Sequence, residues 1–110
     1  MPGLQLPAAR AGVAVVPGVR AIPAPGHTPG HLAVVVNDSV LWAGDAVVSQ
    51  LNAPYPEWIS AADMDGPVNE ATRRALFERA VDEGLFFAAS HLPVAGSIER
   101  DGDGYTIRER

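Results

Sequence analysis

The chain has only three histidines, and their positions suggest shared chemistry. His27 and His31 share the loop Pro25-Gly26-His27-Thr28-Pro29-Gly30-His31, which two prolines and two glycines keep irregular. His91 follows an apolar run across Ser90, and Asp45 follows another across Gly44. Neutral imidazole and carboxylate are metal ligands, and two of the first with one of the second suit Zn²⁺ at about 2.0–2.2 Å. A single aspartate can also bridge two ions about 3.5–4 Å apart, as a two-metal hydrolytic site requires. Such metals lower the pKa of bound water toward about 7, which makes a hydroxide nucleophile near neutral pH. The second ring nitrogen of each ligating histidine needs a partner of its own to fix the tautomer. Two histidines and a carboxylate also describe the facial triad of a mononuclear iron site, although the spacing here fits that poorly.

These residues need elements to bring them together. Leu32 to Val36 is a continuous apolar run that reads as a buried strand, and Val40 to Ala43 reads as a second. Asn37-Asp38-Ser39 between them is turn chemistry, so the two runs form an antiparallel hairpin. With the turn centred near Asp38, His31 and Gly30 fall opposite Gly44 and Asp45. His27 lies just beyond, in the same loop. The hairpin therefore delivers imidazole and carboxylate to one end of a sheet. His91 joins them if its strand, Leu85 to Ala89, runs parallel to the Val40 strand. A loop and a crossover helix connect the two, as a parallel neighbour requires.

The remaining elements follow from turn and cap signals. Val13 to Val16 and Val19 to Ala24 are β-rich runs split by a Pro17-Gly18 turn. Residues 1–12 read as an irregular lead-in. Residues 49–64 form a long loop carrying Tyr55 and Trp58, which are candidates to line a substrate pocket or to anchor the loop by packing. A helix is predicted over Pro67 to Glu83, with Asp65 as N-cap, Pro67 in the first turn and Gly84 as the stop. Val68, Ala71, Ala75, Leu76 and Val81 fall near one stripe at helical spacing. Arg73, Arg74 and Arg79 are expected on its solvated side. Trp42 is expected in the core, and one of Phe86 and Phe87 should face inward. Asp63 and Asp65 read as loop and cap residues, of a type that could contribute carboxylates to a nearby metal site. Ile98 to Arg100 and Tyr105 to Ile107 flank Asp101-Gly102-Asp103-Gly104, a hairpin signal.

The whole composition narrows the classes. At 110 residues, with 11 glycines and 10 prolines spread along it, the chain is a turn-rich domain or a piece of one. The net charge is −5 and lysine is absent, which gives no support to nucleic-acid binding. No apolar run approaches the ~20 residues of a membrane-spanning helix, and no signal peptide is recognisable. Without cysteine there is no disulfide framework and no thiolate site. The expected location is the cytoplasm, and the expected partner is a small-molecule substrate.

The heptapeptide at 25–31 resembles the PGHTPGH segment of metallo-β-lactamase-fold hydrolases. Leu41-Trp42-Ala43-Gly44-Asp45 is similar to that fold's next signature, an apolar strand ending in Gly-Asp. Ala89-Ser90-His91-Leu92-Pro93 is similar to its final ligand segment. The resemblance implies an α+β fold, half of an αββα sandwich with a mixed β-sheet and one main helix over residues 13–110. It implies His27, Asp45 and His91 as zinc ligands, with Asp45 bridging two ions and His31 in support. Asp63-Met64-Asp65 and the following arginine-containing helix resemble the lactonase-like and organophosphate-hydrolase-like branch. Family members also carry an earlier half with an HxHxDH motif, which these residues do not contain. The resemblance thus implies a zinc-dependent ester or lactone hydrolase seen as its C-terminal half. Such a half is expected to hold one zinc ion or none when alone, with weak or no activity. The alternative is a non-catalytic remnant that folds as a homo-oligomer or with a complementing N-terminal half.

Overall fold

The structure, a computed structural model, describes residues 13–109. The lead-in expected over 1–12 lies outside the described residues. Among the described residues, seven strands form one mixed sheet in sequence order: β1 (Val13–Val16), β2 (Val19–Pro23), β3 (Leu32–Val36), β4 (Val40–Trp42), β5 (Phe86–Ala88), β6 (Gly96–Asp101) and β7 (Gly104–Glu109). One helix, α1 (Gly66–Glu83), crosses between β4 and β5. Every pairing is antiparallel except β4 with β5, the parallel pair that the loop-and-helix crossover demands. The α+β class, mixed sheet and single main helix expected from the sequence are all present.

Local chemistry sets the ends of these elements. Asn37 and Asp38 both take positive φ (52° and 51°), which lets a tight turn match the right-handed twist of β3 and β4. Val36 pairs with Val40 and Val34 with Trp42. Continued by the same register, His31 falls opposite Asp45, one residue from the pairing read off the sequence. The Asp65 side chain caps α1 by accepting from the Val68 N–H at 3.2 Å. Gly84 ends the helix in the left-handed conformation (φ 65°). Within the long 49–64 loop, Ser49 and Asn52 form a capping box around a 3-10 turn, Gln50–Asn52.

The core lies between α1 and one face of the sheet. Ile22, Ala33, Val35, Leu41, Phe87 and Ile98 point into it from the strands. Phe77 of α1 stacks between Phe87 and Tyr105, with both ring-centroid distances at 4.8 Å. Phe87 is the inward member of the Phe86–Phe87 pair, and Phe86 is half-buried.

Three expectations are corrected. Trp42 is not core: it alternates with buried Leu41, so it stands on the other sheet face and is 42% exposed. The buried side of α1 is Asn69, Arg73, Leu76, Phe77 and Ala80, while Val68, Ala71 and Ala75 face outward. The helix is rotated because Phe77 and Leu76 carry more apolar surface than the alanines do, and the larger side chains take the core. Arg73 therefore lies inside, fully buried rather than solvated.

Candidate metal centre

His27, Asp45 and His91 meet at the end of the sheet. The His27 loop leaves β2 and re-enters at β3, closed by the Ala24 N–H donating to the His31 carbonyl at 2.9 Å. Asp45 sits in a 3-10 turn, Gly44–Ala46, directly after β4. The β4–β5 pairing runs on beyond the strands, through Ala43 N–H to the Ala88 carbonyl (2.8 Å) and Ser90 N–H to the Gly44 carbonyl (3.1 Å). This extension sets His91 beside Asp45. His27 Nε2 lies 3.5 Å from Asp45 Oδ2, and His91 Nε2 lies 3.2 Å from Asp45 Oδ1. Two imidazole nitrogens thus face the two oxygens of one carboxylate. The His91 side is open, since that side chain is 64% exposed against 21% for His27.

Two glycines make this approach feasible. A Cβ on Gly26 (φ 131°) would fall 2.3 Å from backbone atoms of Asn69, so only glycine lets the loop rest on the first turns of α1. A Cβ on Gly44 (φ 59°) would fall 2.7 Å from His31 Nε2. The glycines that precede His27 and Asp45 are thus a packing requirement of each segment.

His31 is occupied by backbone on both sides of its ring. Its Nδ1 lies 2.9 Å from the Ala24 carbonyl oxygen, which can only accept, so Nδ1 carries the proton. Its Nε2 then accepts from the Asp45 N–H at 2.9 Å. The ring is held as one neutral tautomer, and it ties the Asp45 backbone to the end of β2.

One partner was not assigned from sequence. The Asp63 side chain is completely buried, and its Oδ1 lies 3.0 Å from His27 Nδ1. Its Oδ2 accepts from the Ser60 N–H at 3.3 Å. The 63–65 segment reaches the loop through backbone pairs, Met64 N–H to the His27 carbonyl (3.0 Å) and Asp65 N–H to the Gly26 carbonyl (2.8 Å). The Asp63 carboxylate accepts a hydrogen bond from Nδ1–H and leaves Nε2 turned toward Asp45, which is how carboxylates commonly orient metal-binding histidines. The Asp-x-Asp spacing before a helix was the available signal, but it carries no information about a histidine 36 residues away.

Among the described residues, no group of three or more His, Cys, Asp or Glu side chains surrounds a common point as a metal site does. The donors instead converge in two nitrogen–oxygen pairs that share Asp45. Tyr55 and Trp58 stack on each other at 4.5 Å and are both about half exposed. They are absent from the lining of the neighbouring groove of about 350 Å³, which Gln50, Leu51, Pro54, Tyr105 and Ile107 help to form. Among the described residues, no helix is long and apolar enough to cross a membrane.

No protein-family model matches the sequence, and no curated protein matches it either. Solved structures do match. A dizinc quorum-quenching lactonase, AidC, superposes with a TM-score of 0.82 at 22% identity, over 89% of this chain and 35% of its own. AbOPH, a hydrolase of the beta lactamase superfamily, gives 0.76 at 28% identity over 86% of this chain and 35% of its own. A quorum-quenching N-acyl homoserine lactone lactonase gives 0.63 at 27% identity over 74% and 35%. The described residues have the metallo-β-lactamase fold, in the part that these hydrolases share with the chain. The chain spans about a third of the length of each structure, 35% in all three.

Proposed function

We propose that this chain carries part of the metal site of a zinc-dependent hydrolase acting on a lactone, ester or related bond of a small molecule in the cytoplasm. The observation that carries the reading is the pairing of Asp45 Oδ2 with His27 Nε2 and of Asp45 Oδ1 with His91 Nε2. In this reading His27 and Asp45 would hold one ion and His91 and Asp45 would hold a second, while His31 keeps the Asp45 backbone in place. Bound zinc supplies Lewis-acid polarisation of the scissile carbonyl and activation of water. Asp63 keeps the His27 Nδ1 proton away from the site. Two donors from this chain per ion fall short of the four usual around zinc, so further ligands come from a complementing segment. Alone, the chain binds zinc weakly and turns over substrate slowly or not at all.

The test is hydrolysis of an N-acyl homoserine lactone and an aryl ester by the purified chain with added Zn²⁺, beside its Asp45→Ala variant. The reading expects slow turnover at most, and any turnover abolished by Asp45→Ala. Zinc-dependent turnover that survives the substitution contradicts it. The second reading, a non-catalytic remnant, is favoured by the sheet face away from α1. There Val34, Val36 and Val40 are half-buried and Trp42 is exposed, which is an apolar surface suited to a second copy or a complementing half. Chain mass in solution, measured by light scattering, separates a self-covering oligomer from a monomer that awaits a partner.

A further inference from the structure

A fully buried arginine needs a reason, because burial opposes its charge and pulls its pKa below the ordinary arginine value. Arg73 faces carbonyls, not a carboxylate partner at contact distance. Its Nε donates to the carbonyl of Ala46, the residue after Asp45, at 2.8 Å. Its Nη1 donates to the carbonyls of Pro56 at 2.7 Å and Trp58 at 2.8 Å. The second segment leads directly to Ser60, whose N–H holds Asp63, and Asp63 in turn holds His27. The Asp63 charge also lies near enough to favour the cation. One side chain therefore spans the turn that carries Asp45 and the loop that orients His27.

We propose that Arg73 is a positioning residue: its planar guanidinium sets the separation between the Asp45 turn and the 56–63 loop, and so the approach of His27 to Asp45. The inference rests on the reading that those two residues work together. Arginine suits this role because its N–H donors lie in a rigid fork, whereas lysine offers a single flexible point of charge. Lysine can satisfy one of the two segments while losing hold of the other.

The experiment uses the full, metal-free chain, with Arg73→Lys and, as a control away from both segments, Arg108→Lys, whose partner is Glu99. The His27 Nδ1–H signal reports its bond to Asp63, and the Asp45 amide reports its bond to His31. In the wild type and in Arg108→Lys both signals should be alike. In folded Arg73→Lys both should shift. A folded Arg73→Lys chain with both signals unchanged overturns the proposal. If Arg73→Lys does not fold, hydrogen exchange on the wild type in sub-denaturing urea decides. The Arg73 Nε–H and the Ser60 and Asp45 amides should then lose protection together, and separate openings overturn the proposal. Zinc titration of the wild type judges the hydrolase reading independently, since none of these signals requires metal.

Discussion

Replacing Gly44 with alanine tests whether the Gly-Asp segment is built around His31. Gly44 has φ 59°, and an added Cβ would lie 2.7 Å from His31 Nε2, 3.0 Å from His31 Cε1 and 3.3 Å from Trp42 Cζ3. The left-handed backbone alone costs a non-glycine residue about 1–2 kcal/mol. The imidazole must also retreat, because the Cβ occupies the space of its Nε2 edge. That retreat weakens the Asp45 N–H bond to Nε2 and strains the Nδ1 bond to the Ala24 carbonyl, each 2.9 Å long. A net hydrogen bond contributes about 0.5–1.5 kcal/mol, so Gly44→Ala is expected to destabilise by about 2–4 kcal/mol. Gly30 is the control: it lies in the same region, has no heavy atom within 4 Å of an added Cβ, and shows no positive φ. Gly30→Ala should change stability by no more than about 0.5 kcal/mol, as at an ordinary surface position. Urea denaturation of both variants, with the Asp45 amide shift followed by NMR, gives the comparison. A Gly44→Ala chain as stable as Gly30→Ala, with an unshifted Asp45 amide, refutes the reasoning.

Other outcomes follow from the same geometry. Asp63→Ala removes the acceptor that fixes His27 Nδ1–H, and zinc affinity measured by competition with a chelating dye should fall about 10–100-fold. Phe77→Ala empties the space between Phe87 and Tyr105, and denaturant unfolding should show a loss of about 3–5 kcal/mol. Burial, and then its bond to Glu78, raise the Tyr105 phenol from 10.0 to about 12. Because the folded value is the higher one, the stabilisation is complete below pH 10 and fades as pH rises toward about 12. Ultraviolet titration of phenolate formation, run beside thermal melts at increasing pH, should show both changes in that window.

Local signals carried most of the architecture. The Asn37-Asp38 turn, the Asp65 cap and the Gly84 stop are short-range chemistry, and strand order followed from connection lengths. The approach of His27 to Asp45 was legible because one short hairpin controls both. The rotation of α1 was not legible, since it depends on how Leu76 and Phe77 compete for a core assembled from distant strands. Arg73 was misplaced for a related reason. Its partners are carbonyls 15–27 residues away, and backbone carbonyls leave no mark in a sequence. Trp42 read as core because aromatic strand residues usually are, but alternation with Leu41 puts it on the face that α1 does not cover. Asp63 was read as a loop residue because its histidine lies on another segment.

The most direct test of the central claim is a Zn²⁺ titration of the ¹⁵N-labelled chain, read at each histidine ring. The account predicts that Nε2 of His27 and Nε2 of His91 shift together as zinc is added, that His31 stays unchanged, and that Asp45→Ala abolishes both shifts. Shifts at His31, or shifts at His27 and His91 that persist in Asp45→Ala, would contradict it.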